Sequence, residues 1–208
     1  MNKTKNLRTQ LARGATQLGS NLESEQLDNL LDYIALLDKW NHHYNLSAIR
    51  DPMQMVSHHL FDSLAVAPYM AHCRRVLDVG TGAGLPGLVL AICYPQHHFT
   101  LLDGNGKKIR FLVQAKHDLK INNIEPIQER AENYQTAHCF DGIISRAVGE
   151  IKELLDCSNH LLCPGGHWYA MKGNYPAAEL EGVAHSYRVE RLHVPDIEGS
   201  RHLVIIEG

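Results

Sequence analysis

Apolar positions along this chain change their period near residue 70. Before it they recur at helical spacing, first as Leu7, Leu11, Ala15 and Leu18, then as Leu27, Leu30, Leu31, Ile34 and Leu37. The first set predicts an amphipathic helix whose outer face carries Lys3, Lys5, Arg8 and Arg13. The second predicts a helix running to about Tyr44, capped by Ser20 with Glu23 or by Ser24. Asp51-Pro52 predicts the start of a third, because proline suits a first turn whose N–H has no helical partner. Val56, Leu60, Leu64, Val66 and Ala67 form its inner face, and Pro68 ends it. Beyond residue 70, short apolar runs alternate with helical segments. Strands are predicted at 75–79, 98–103, 124–128, 141–146, 167–172, 187–194 and 202–207, and helices at 86–93, 107–119, 150–161 and 177–185, with a short turn near Glu132. That alternation predicts a parallel sheet built from βαβ units. Only residues 195–201 separate the last two strands, too few for a crossover, so this pair is expected to be antiparallel. The fold class is therefore α/β: a Rossmann-like domain over 71–208 with a mostly parallel seven-stranded sheet, preceded by an N-terminal helical extension over 1–70 packed on it.

The stretch 76–87 reads as a buried strand, a glycine-rich turn and the start of a helix. Gly80, Gly82 and Gly84 have no Cβ, so the backbone can take positive φ there and a ligand can approach its N–H groups. Gly82-Ala-Gly84-Leu-Pro-Gly87 fits G-x-G-x-x-G, and Asp103 follows Gly82 by 21 residues, about where a ribose-binding acid belongs. On spacing alone a nicotinamide dinucleotide is a candidate. Asp78 weighs against it, since two like charges at ~4 Å repel by roughly 4 kcal/mol at an effective dielectric of 20. S-adenosylmethionine carries an ammonium and a sulfonium, which the same acid would attract, while Asp103 would accept the two ribose hydroxyls. The pair of acids favours the methyl donor, with Leu85 and Pro86 closing the loop.

Composition narrows the setting. In 208 residues, 44% of them hydrophobic, the chain can bury one good core. A net charge of −3 excludes a surface coated in positive charge, so any nucleic-acid contact must be local. The five cysteines include no C-x-x-C pair, which points to free thiols in a reducing cytoplasm rather than to a disulfide or a zinc site. The histidine pairs 42–43, 58–59 and 97–98 point their members to different faces, and no third ligand is in register, so no metal is expected. No apolar run approaches the ~20 residues that span a bilayer. The first residues are polar and basic without an apolar segment, so no signal peptide is expected and the chain is placed in the cytoplasm.

The run Val-Leu-Asp-Val-Gly-Thr-Gly-Ala-Gly-Leu-Pro-Gly, followed by Thr100-Leu-Leu-Asp103 and Lys107-Lys-Ile-Arg-Phe-Leu112, resembles the bacterial small-subunit ribosomal RNA guanine-N7 methyltransferases, the glucose-inhibited division protein B family. The resemblance covers nearly the whole chain. It extends to Trp40-Asn41-x-x-x-Asn45-Leu46, His59-x-x-Asp62-Ser63, Ser145-Arg146-Ala147, Lys172-Gly173 and Arg201-His202-Leu203-Val204. It implies a class I methyltransferase fold, S-adenosylmethionine as donor, and N7 of one guanine in 16S ribosomal RNA as acceptor. It places donor contacts on Gly80, Leu85, Ala131, Glu132 and Arg146, and makes Arg201 a candidate RNA contact. The implied partner is 16S ribosomal RNA within the small subunit or an assembly intermediate, met by a monomer with no protein partner and no membrane. Gly104, Asn105 and Gly106 depart from the family's usual turn, which is expected to loosen the ribose end of the pocket. Two readings of other classes stay open: an NAD-dependent oxidoreductase, and a non-catalytic ribosome-binding module.

Guanine N7 has a free lone pair and no proton, so transfer to it needs no general base. Catalysis then rests on positioning, and the candidate residues are Arg146, whose fork suits the guanine edge or a phosphate, with Lys172 and Arg130 behind it. Lys107, Lys108 and Arg110 are candidates for phosphate contact. Trp40, Tyr44 and Asn45 either pack the helical extension or sit beside the target base, with Asn41 and Asn45 expected to contact each other.

Overall fold

A computed structural model describes residues 2–146 and 149–208, with side chains from residue 5 onward; Ala147 of the Ser-Arg-Ala run and the side chain of Lys3 lie outside the described residues. The N-terminal helices are α1 (Asn2–Gln17) and α2 (Ser24–Tyr44). A further helical segment begins as α3 (Pro52–Met55), opens into a π-helical stretch over Val56–Phe61 and closes as α4 (Asp62–Leu64). Pro68 does not end it; it lies in the first turn of a separate short helix, α5 (Ala67–Met70). Neither predicted serine caps α2, because Glu23 accepts from the third helical N–H while Gln26 reaches back to the Glu23 N–H.

The sheet comprises β1 (Arg75–Val79), β2 (His98–Leu102), β3 (Ile124–Ile127), β4 (Phe140–Arg146), β5 (Leu162–Lys172), β6 (Tyr187–Leu192) and β7 (Arg201–Glu207), in the order β3-β2-β1-β4-β5-β7-β6. Strands β1 to β5 are parallel, and β7 runs antiparallel to both β5 and β6. The order reverses between β1 and β4, which puts a crevice beyond their carboxyl ends. Helices α6 (Gly87–Cys93), α7 (Gly106–Asp118), α8 (Ile151–Ser158) and α9 (Ala177–Leu180) complete the layers. Strand β5 starts earlier than predicted, and the helix expected over 177–185 is a single turn.

Side chains alternate across the sheet, so the two faces build two cores. One gathers Val76, Phe99, Leu101 and Ile144 with Leu30, Ile34 and Leu37 of α2 and Phe111 and Leu112 of α7. The other gathers Leu77, Leu102, Ile143 and Trp168 with Ile151 and Leu154 of α8. Trp40 packs edge-on against Phe111 with ring centroids 5.7 Å apart, which holds the end of α2 on the sheet domain. Among the described residues no hydrogen bond joins Asn41 to Asn45. Asn41 accepts from Ser47 N–H and donates to the Ile49 carbonyl, while Asn45 accepts from Arg50, so both brace the 45–50 loop. Gly87 sits where α6 meets the sheet: a Cβ there would lie 2.4 Å from Leu101 Cδ2 and 2.7 Å from an Asp78 oxygen. Gly87→Ala is expected to destabilise the protein by about 1 to 3 kcal/mol, read as a lower urea midpoint at unchanged slope.

Two of the five cysteines are not the free thiols expected from their spacing. Cys139 and Cys163 form a disulfide, because β4 and β5 pair with Phe140 opposite Leu162 and bring the two Cα atoms to 4.9 Å. Cys73, Cys93 and Cys157 are free. Among the described residues no helix is long and apolar enough to cross a membrane.

Candidate active site

The glycine turn is held from below and from both sides. Gly80, Gly82 and Gly84 all have positive φ, at 67°, 61° and 93°. Thr81 N–H closes the turn onto the Leu102 carbonyl of β2 at 3.0 Å. Asp78 lies fully buried beneath it, its Oδ2 accepting from the Thr81 hydroxyl at 2.6 Å and from Gly87 N–H at 2.8 Å. Tyr33 of α2, also fully buried, donates its hydroxyl to the Ala83 carbonyl at 2.9 Å, which ties the helical extension to the turn. Above the turn the space is open: a Cβ on Gly82 would meet nothing closer than 3.9 Å.

Three cavities follow one another along the crevice. The first, about 290 Å³, is lined by Asp103, Gly104, Arg130, Ala131, Glu132 and Cys157 among others. It shares Gly80 and Lys108 with a second of about 240 Å³ over the glycine turn, lined also by Leu46, Ser47, Thr81, Gly82, Ala83 and Leu85. That one shares Ser47, His59 and Arg146 with a third of about 570 Å³, whose walls include His58, Asp62, Lys172, Arg201 and His202.

The candidate residues fall into place unevenly. Gly80, Gly82, Leu85, Asp103, Ala131, Glu132, Arg130 and Arg146 line the first two cavities, and Arg146, Lys172 and Arg201 line the third. Asp78 lines none of them and Gly84 packs toward Leu88 and Leu112, so both support the turn from behind. The repulsion of a pyrophosphate assigned to Asp78 in the sequence therefore has no direct line to a ligand. Asp103 already receives Gly82 N–H at 3.0 Å, Asn105 N–H at 2.8 Å and Lys108 Nζ at 3.1 Å. A carboxylate offers about four acceptor sites, so gripping two ribose hydroxyls requires Lys108 to let go. In the 104–106 turn, Asn105 caps α7 by accepting from Lys107 N–H at 2.9 Å. Lys107 and Arg110 are exposed on α7, whereas Lys108 lies in the crevice. Of the basic residues on α1, Arg8 pairs with Asp28 and Arg13 with Asp196.

Five residues that the sequence did not single out as site candidates complete the walls. Ser47, which accepts from Ile49 N–H, meets His59 Nε2 at 2.8 Å. His58, Asp62 and His202 surround the third cavity. Burial, reinforced by the Arg146 charge, pushes His59 down to about 4, so it is neutral near pH 7. Burial pushes Asp78 up to about 7 against the Thr81 and Gly87 hydrogen bonds, which pull the other way. The two have opposite signs. The Asp78 contribution is fully present below the unfolded carboxyl range near 3.8 and is lost as pH rises through about 7. The His59 contribution is present above about 6.5 and is lost as pH falls through about 4. Urea midpoints of wild type minus Asp78→Asn are therefore expected to fall from pH 4 to pH 7, and those of wild type minus His59→Asn to fall from pH 6.5 to pH 4.

A mostly parallel seven-stranded sheet with this reversed order, and a glycine turn facing an open crevice at the reversal, defines a class I methyltransferase fold. The structure of N-methyltransferase NodS from Bradyrhizobium japonicum in complex with S-adenosyl-L-homocysteine shares it, with a TM-score of 0.55 at 15% identity over 81% of this chain and 98% of that one. Residues 26–204 match the family described as rRNA small subunit methyltransferase G. Ribosomal RNA small subunit methyltransferase G of Legionella pneumophila is 53% identical over 181 residues, 87% of this chain and 86% of that protein. That of Ectopseudomonas mendocina is 47% identical over 201 residues, 95% of this chain and 94% of that protein. The chain belongs to the rRNA small subunit methyltransferase G family, and the oxidoreductase and non-catalytic readings are set aside.

Proposed function

We propose that this chain transfers a methyl group from S-adenosylmethionine to N7 of one guanine in 16S ribosomal RNA. The observation that carries the reading is the run of three cavities that meet at Gly80, Lys108 and Arg146. The residues present fit the donor: an open glycine cradle for its methionine end, and Asp103, Ala131 and Glu132 for its ribose and adenine end. When bound, the donor supplies an electrophilic methyl on a sulfonium.

The chain's own part is placement. Arg146 stands between the glycine turn and the third cavity and orients the guanine edge there. Lys172 is held against the Gly149 carbonyl at 2.8 Å and Glu179 at 2.7 Å, and Arg130 lines the cavity that would hold the adenine end. No wall residue needs to take a proton, because N7 carries none, and neutral His59 adds no charge to the cavity wall. Holding two reactants at near-attack distance supplies about 7 to 11 kcal/mol. The helices before residue 70 and the sheet domain after it each contribute one wall, so neither part makes the site alone.

Lys107 and Arg110, with Arg201 in the wall of the third cavity, provide local phosphate contacts on a chain of net negative charge. That charge pattern fits a folded small subunit or an assembly intermediate, met by a cytoplasmic monomer, better than a bare strand. Calorimetry tests the donor: S-adenosylmethionine is expected to bind with NAD giving no heat, and tight NAD binding without donor binding would overturn the reading.

A further inference from the structure

Two arginines, one from β4 and one from β7, converge on one buried carboxylate. Asp62 belongs to α4 directly after the π-helical stretch, and its side chain is 8% exposed. Its Oδ2 accepts from Arg146 Nη1 at 3.2 Å, at the end of β4, and its Oδ1 accepts from Arg201 Nε at 3.1 Å, at the start of β7. Arg146 Nη1 also donates to the His58 carbonyl at 3.0 Å, and Arg201 Nη1 to the Ser200 carbonyl at 2.9 Å. Each guanidinium thus engages two of its five N–H groups among the described residues and keeps the rest. All three side chains line the same cavity of about 570 Å³.

We propose that Asp62 is the positioning residue of the acceptor side: its carboxylate fixes Arg146 and Arg201 side by side, so that the pair receives one unstacked guanine nucleotide, Arg146 at the base and Arg201 at its phosphate. This rests on the transfer reading above. The chemistry requires an unstacked nucleotide, because the narrow major groove of an RNA helix hides the N7 edge from side chains. Guanine presents only acceptors, O6 and N7, on that edge, and a phosphate presents only acceptors as well, so a fixed row of guanidinium donors suits both. Left without Asp62, two long and flexible side chains would have no shared anchor and would repel each other.

The test is a double-mutant cycle on the full chain, with labelled S-adenosylmethionine and small ribosomal subunits lacking the modification. Asp62→Asn, close in shape, is used beside Asp62→Ala, and donor affinity by calorimetry reports that each variant is folded. Asp62→Asn and Arg201→Gln are each expected to lower kcat/KM on the order of 100-fold, the effect of a misplacement of about 1 Å, with donor affinity within about threefold of wild type. The double variant is expected to be no worse than about threefold below the lower single one, because both remove the same arrangement. Losses that multiply, or Asp62→Asn transferring at the wild-type rate, would overturn the proposal while leaving the transfer reading intact. Failure of the wild-type protein to transfer at all would overturn both.

Discussion

Arg146→Ala is expected to lower methyl transfer by 100-fold or more while weakening donor binding far less. The side chain, like those of Ser47 and His59, lines both the glycine-turn cavity and the larger one beside it, which under the proposed function hold the two reactants. Its guanidinium is fixed by the His58 carbonyl and Asp62, which leaves its remaining donors in a set direction. Arg146→Lys should recover little of the loss. An ammonium keeps the charge, but it has no planar fork to engage two fixed acceptors and the guanine edge together. Single-turnover transfer with saturating donor separates this from a binding defect: a reduced rate is expected even with the donor site filled, and a wild-type rate for Arg146→Ala would remove the basis for its role.

Asp78→Ala is expected to destabilise the protein by about 2 to 4 kcal/mol and to abolish donor binding. Two donors, the Thr81 hydroxyl and Gly87 N–H, would be left buried without an acceptor, at about 1 to 3 kcal/mol each. The total is held down because the carboxylate is itself costly to bury, as its upward-shifted pKa of about 7 records. The turn it supports carries three glycines at positive φ and has no other side-chain anchor from below among the described residues. Asp78→Asn keeps one acceptor oxygen and should lose less. Urea midpoints and calorimetry with S-adenosylmethionine check both parts; near-native stability with intact binding would show the turn to be self-supporting.

The helical and strand periods carried most of the architecture, because burial on one face imposes them directly. The strand order, with β4 beside β1, is not written in any local pattern, yet it decides which loops meet. Asp78 shows how far a motif reaches. Its spacing from the glycines marked it as a site residue, but strand alternation puts it on the same face as Val76, beneath α6 and away from the crevice. That signal was available in the sequence. Tyr33 was not legible, since an aromatic on an apolar stripe looks like core until its hydroxyl is seen on the Ala83 carbonyl. Asp62 is not legible as an anchor for two arginines, because those partners lie 84 and 139 residues away. The same limit hid the Cys139–Cys163 pair, which depends on the register of β4 against β5. The π-helical stretch leaves Val56 and Leu60 at a spacing that an α-helix also satisfies, so sequence spacing does not distinguish the two.

Under the proposed function, these cavities join a methyl donor to a guanine N7 in the small ribosomal subunit. Labelled-methyl transfer to small subunits lacking the modification, followed by digestion to nucleosides, tests it most directly. One labelled 7-methylguanosine per subunit is the predicted result, and no transfer, or label on any other atom or base, would contradict the account.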